Sequence, residues 1–230
     1  MKPHIVCHMI VSLDGRILTS RWSPSPDGSR ADWSATYGAI HDELDVQGWI
    51  VGRVSMAEMS DSAPHPPQSF AAPPRPRNLA AKAAATYAIA VDPSGKLHFD
   101  GPDIAGDAAV VWLGGEVSDA HLAELASDGV SYIVSPTPEI DLAAALETMN
   151  TELGVTRLAL EGGGGVNAAF FAAGLVDEVS LLVAPALDGT SDSRALAEGI
   201  ALADLTQLSL IGCEKLEHGL VHLRYAVSRR

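Results

Sequence analysis

The chain has 230 residues, enough for one large domain or two small ones and for a sizeable buried core. Hydrophobic residues make up 47% and charged residues 19%, a folded composition that excludes intrinsic disorder. A net charge of −14 argues against nucleic acid and against an anionic membrane surface as partners, since each requires a basic face. A phosphorylated small molecule stays open, because backbone N–H groups and one or two arginines can hold it.

The first apolar run is too short for a signal peptide and is soon interrupted by Asp14. No apolar stretch is long enough to span a bilayer. Cys7 and Cys213 stand far apart in apolar, strand-like segments and are expected to be buried thiols. There is no C-x-x-C for zinc or redox chemistry. The expectation is a soluble protein of a reducing, cytoplasmic compartment.

Residues 4–11 are rich in Ile and Val and predict a buried strand, ended by the turn SLDG at 12–15. A polar Ser/Pro/Gly stretch, 22–32, predicts a loop. Asp32 or Ser34 is a candidate cap for a helix over about 35–46, with Tyr37, Ile40, His41 and Leu44 on one face. A short buried strand at 48–52 leads into a helix start at 53–59. The Pro-rich stretch 60–78 is read as a surface loop, so the chain is expected to be a single domain over 1–230.

Further strands are predicted at 87–91, 108–113 and 132–134. Ser118 is expected to cap a helix to about residue 126, and another helix covers about 141–153. A strand at 156–161 precedes the glycines and a helix at 166–173 follows them. Residues 178–185, 205–213 and 220–227 are strand-like, with no helix between the last two. This alternation predicts an α/β fold with a mostly parallel sheet, ended by an antiparallel hairpin.

Four successive glycines, Gly162, Gly163, Gly164 and Gly165, lie between a strand and a helix. Glycine costs folding entropy, so the run needs a cause. One cause is close packing of strand on helix. The other, favoured because four glycines exceed what packing needs, is a pyrophosphate facing the helix N-terminus across bare backbone. Gly163-x-Gly165-x-x-Ala168 fits the G-x-G-x-x-A pattern, but it lies late in the chain. No acidic residue follows at the ribose-binding distance of a dinucleotide domain.

The turn SLDG (12–15), GWIVGR (48–53) with Ser55, EGGG (161–164), Asn167 and GLVDEVSLLVAP (174–185) together resemble the dihydrofolate-reductase-like superfamily. Within it they are most similar to the pyrimidine reductases of riboflavin biosynthesis, over nearly the whole chain. The resemblance implies a three-layer fold with a mostly parallel central sheet, a homodimer, and NADPH as hydride donor. It implies reduction of a ribosylaminopyrimidine such as 5-amino-6-(5-phosphoribosylamino)uracil. Reduction of a pterin or another heterocycle, and nucleotide binding without catalysis, remain alternatives.

On this resemblance Gly162 to Gly165, with the N–H groups of Val166 and Asn167, cradle the cofactor's pyrophosphate. Gly52, Arg53 and Ser55 meet the adenosine 2′-phosphate; an arginine fork suits that anion, whereas the helix dipole disfavours a cation at a helix start. Ser12, Asp14 and Glu161 fall at the substrate, with Asp14 and Glu161 as candidate proton carriers. Asp14-Gly15 is equally a good turn pair, and Glu161 could instead be satisfied by the glycine N–H groups. The sequence departs from the riboflavin enzymes after Gly52. That segment and the stretch 20–32 are candidates for setting substrate choice. His218 and His222 share a strand face without a third ligand, so no metal is expected.

Overall fold

The computed structural model describes residues 1–67, 73–192, 194–199, 201 and 206–228. Their contacts group into two compact units, residues 1–3 with 47–158, and residues 4–46 with 159–230.

In the first unit the strands β2 (Gly48–Gly52), β4 (Tyr87–Asp92), β6 (Asp107–Leu113) and β7 (Ser131–Val134) pair in that order, all parallel. Two short strands, β3 (Arg77–Asn78) and β5 (Asp103–Ile104), join antiparallel to β7 and β6. The strands bury residues on both faces, as parallel sheets do, so they read as unbroken apolar runs. Ile89, Val110, Val111 and Trp112 are fully buried. Helix α2 (Arg53–Ser60) is pinned by Met56, its one buried residue; Met56→Ala would cost roughly 2–5 kcal/mol. Helices α3 (Asp119–Ser127) and α4 (Leu142–Leu153) start where a side chain caps them. Ser118 accepts from the His121 N–H, and Asp141 from the Ala144 N–H.

The second unit holds β1 (His4–Ser12), parallel to β9 (Glu178–Ala184), then β11 (Val221–Ser228) and β10 (Gln207–Lys215), both antiparallel. The unit boundary falls inside β8 (Arg157–Leu160), which lies next to β1. Helix α1 (Arg30–Glu43) brings Trp33, Tyr37 and Ile40 onto a cluster with Trp22, Leu182, Ala184 and Leu220. Its start differs from the predicted one. Ser29 and Asp32 form a reciprocal capping box, so Asp32 is the third helical residue and not the cap.

The chain is thus a mixed α/β protein with mostly parallel sheet strands and a C-terminal antiparallel hairpin, as its alternation predicts. The predicted strand 205–213 begins at Gln207; Leu205 lies outside the described residues. Cys7 is buried, and burial pushes its thiol up to about 12, with the Glu161 carboxylate adding to the effect. Cys213 is exposed, because β10 has only β11 beside it among the described strands. None of the helices is long and apolar enough to cross a membrane among the described residues.

Candidate functional site

Three segments of the second unit converge: the turn after β1, the glycines after β8 and the stretch after β9. Asp14 lies in the first. Its Oδ1 accepts from Ser12 Oγ at 2.6 Å and from the Asp188 N–H at 3.1 Å, and its Oδ2 from the Gly189 N–H at 2.8 Å. Ser12 and then these two N–H groups hold the Asp14 carboxyl down at about 2. Asp14 is therefore a fixed carboxylate near neutral pH. It suits accepting hydrogen bonds and is a poor proton donor.

The stretch after β9 is laced to the chain after β1. Leu13 N–H donates to the Ala186 carbonyl at 2.8 Å, Ser23 N–H to the Leu187 carbonyl at 2.8 Å, and Ile17 N–H to the Arg194 carbonyl at 3.0 Å. Arg21 adds Thr190 Oγ1 at 2.7 Å and Asp192 Oδ1 at 3.0 Å. Part of the stretch 20–32, suspected of setting substrate choice, lines a cavity of about 320 Å³, with Trp22, Ser25, Gly28 and Arg30 in its wall and Trp33 beside them.

Helix α5 (Gly164–Ala173) starts two residues earlier than predicted, with Gly163 as its N-cap and no capping side chain. The first-turn N–H groups of Gly164, Gly165 and Val166 thus lack intrahelical partners. The Asn167 N–H, predicted to face the anion, is already bonded to the Gly163 carbonyl at 3.1 Å. Its side chain donates to the Leu196 carbonyl at 2.8 Å, and its buried Oδ1 has no partner among the described residues.

The four glycines divide into two pairs. A Cβ at Gly162 would stand 3.0 Å from Val166 Cβ, and one at Gly164 only 2.4 Å from the Ala195 carbonyl. Those two are glycine because the chain itself approaches closely. A Cβ at Gly163 would meet nothing nearer than Arg194 Nη1 at 3.9 Å, and one at Gly165 nothing within 4 Å. These two faces are open, so close packing accounts for two of the four glycines and not for the other two.

Glu161, just after β8, accepts from no glycine N–H among the described residues. Its Oε1 lies 2.8 Å from Nδ1 of His41 on α1. Behind this pair His8 stacks on Tyr37, with ring centroids 4.2 Å apart. His8 Nδ1 lies 3.0 Å from Ser180 Oγ, which lies 2.8 Å from His222 Nε2. Burial, above other causes, lowers the pKa of both histidines. Burial and then the Glu161 carboxylate hold the Tyr37 hydroxyl well above the usual tyrosine range. His41 escaped the sequence reading as a site residue, since only the fold brings residues 41 and 161 together. Its place beside Tyr37 on one helix face was the available signal.

Gly52, Arg53 and Ser55 lie in the other unit, at the start of α2. Gly52 caps the helix without a side chain.

A model of the RibD C-terminal domain matches residues 3–222. The chain belongs to that family, the pyrimidine-reductase family of riboflavin biosynthesis. It is 38% identical over 81 residues to a 2,5-diamino-6-ribosylamino-4(3H)-pyrimidinone 5′-phosphate reductase of Methanothermobacter thermautotrophicus. That match spans 34% of this chain and 37% of the relative. Among solved structures, a pyrimidine reductase-like protein of Corynebacterium diphtheriae superposes with a TM-score of 0.70 at 21% identity, covering 99% of this chain and 93% of that one. RibD of Acinetobacter baumannii gives 0.64 at 21% identity, over 99% of this chain and 58% of that one. At this identity the two structures show a shared fold.

Proposed function

We propose that this chain is an NADPH-dependent reductase that delivers hydride to a ribosylaminopyrimidine phosphate or a closely related heterocycle. The observation that carries this reading is the start of α5. Its free first-turn N–H groups lie beside the open faces of Gly163 and Gly165, a surface suited to a diphosphate. The named Methanothermobacter relative supplies the substrate class.

Gly163, Gly165 and Val166 hold the diphosphate, while Gly162 and Gly164 shape the loop. Arg53, with Gly52 and Ser55, takes the 2′-phosphate, so NADPH is preferred over NADH. When bound, the nicotinamide supplies the hydride. Ser12 and Asp14 keep the turn after β1 in place, and Asp14 presents a fixed negative edge to substrate N–H groups. Glu161 and His41 share a proton along their 2.8 Å contact and are the pair suited to passing one on. We also propose a homodimer through the outer edge of β10, where Leu208, Leu210 and Ile211 are exposed. Light scattering should give twice the chain mass, reverting to one in Leu210→Lys.

The deciding experiment is a fluorescence titration with NADPH and, separately, NADH, followed by NADPH oxidation with the ribosylaminopyrimidine phosphate. Tight NADPH binding with turnover is expected. Absence of binding to either nucleotide would remove the reading at its root.

A further inference from the structure

The unit without the glycine loop carries a second cluster of reactive side chains. His121 and Glu124 lie on α3 and Asp128 caps its C-terminus; spacings of three and four place them on one helix face. His98, between β4 and β5, and His65, after α2, reach the same face. His98 Nδ1 is 2.5 Å from Glu124 Oε1, and His65 Nδ1 is 3.5 Å from that same oxygen. His65 Nε2 is 3.0 Å from Asp128 Oδ1. The His98 and His121 rings meet edge to face, with centroids 5.4 Å apart.

Ligand atoms of His98, His121 and Glu124 lie within 4.8 Å of one another, as do those of His65, Glu124 and Asp128. His121 is 8% exposed and Glu124 7%. Two buried polar atoms in this cluster, His121 Nε2 and Asp128 Oδ2, lack a hydrogen-bond partner among the described residues. Buried polar atoms are nearly always satisfied, so two orphans in one cluster of imidazoles and carboxylates point to a missing partner. A cation held by His98, His121 and Glu124 would be the partner that His121 Nε2 lacks.

We propose that this cluster binds a divalent transition cation of the zinc type, with His98, His121 and Glu124 as ligands and His65 and Asp128 beside them. Two imidazoles and a carboxylate select such an ion over magnesium or calcium, which prefer oxygen throughout. Ligand bonds of roughly 2.0–2.2 Å require only small side-chain adjustments from the spacings present. The ion replaces the proton between His98 and Glu124, so binding releases protons. The ion would fasten the stretch after β4 onto α3. Its role is therefore structural, and it makes no demand on the proposed hydride chemistry.

The test is calorimetric titration of the metal-free, tag-free full chain with Zn2+, alongside His98→Gln and His121→Gln. One ion per chain is expected, with a higher Tm when loaded and affinity falling by more than about tenfold in each variant. Absent binding, or binding and a Tm shift that persist in both variants, would overturn the proposal. Should a variant fail to fold, Co2+ bound to the wild type decides. Intense visible bands of four- or five-coordinate cobalt support the site, and the weak bands of six-coordinate cobalt overturn it.

Discussion

Asp14 Oδ2 accepts the backbone N–H of Gly189 at 2.8 Å, fastening the turn after β1 to the stretch after β9. The residue that resemblance assigns to substrate is thus also the clasp of its own loop. The three donors that hold it leave a carboxylate whose pKa is about 2.

Asp14→Asn should loosen residues 186–190 and destabilise the chain at neutral pH. The folded pKa is depressed below the ordinary value, so the contribution is complete above about pH 4 and disappears as pH falls through about 2. Chemical denaturation of both proteins across that range checks it. A stability difference that stays constant down to pH 2 would contradict the assignment.

Gly165→Ala separates folding from binding. The position is helical, and an added Cβ meets nothing within 4 Å. Stability should rise by about 0.4–1 kcal/mol, while NADPH affinity falls because the methyl covers the open face. Unchanged affinity would place the diphosphate elsewhere.

Glu198 is an exposed anion at the wrong end of α5 for a diphosphate site. Its N–H donates to the Gly164 carbonyl at 3.1 Å, and its Cδ would stand 3.1 Å from a Cβ at Gly164. Glu198→Gln should tighten NADPH binding by about two- to fivefold, an effect that shrinks with added salt. Weaker binding would show that the carboxylate holds the ligand's loop and does not repel the ligand.

His8 and His222 flank Ser180 and are both held neutral, chiefly by burial. The unfolded chain takes up protons below about pH 6.5 that the folded chain refuses, so stability should fall as pH drops from there. Thermal melts of the wild type and His8→Gln would report it. Equal slopes in both proteins would exclude His8 as a source.

Arg53→Ala should weaken NADPH by about ten- to hundredfold and leave NADH nearly unchanged, as expected for loss of a charge-assisted pair. Equal losses for both nucleotides would mean that Arg53 does not read the 2′-phosphate.

The alternation of strands and helices, the cap at Ser118, and the location of the glycine run were all readable along the chain. Each depends on neighbours within a few residues, where apolar period and capping chemistry are set. The sequence also carried the family resemblance, through short motifs at the ends of strands. What it left open is which of four identical glycines the fold crowds and which it leaves open, because Ala195 and Glu198 crowd Gly164 from about thirty residues away. The partners of Asp14, Glu161 and His121 were hidden for the same reason. A side chain's role depends on what folding places within hydrogen-bonding distance. Residues 41 and 161, or 98 and 124, share no local pattern that could announce a contact only tertiary packing makes.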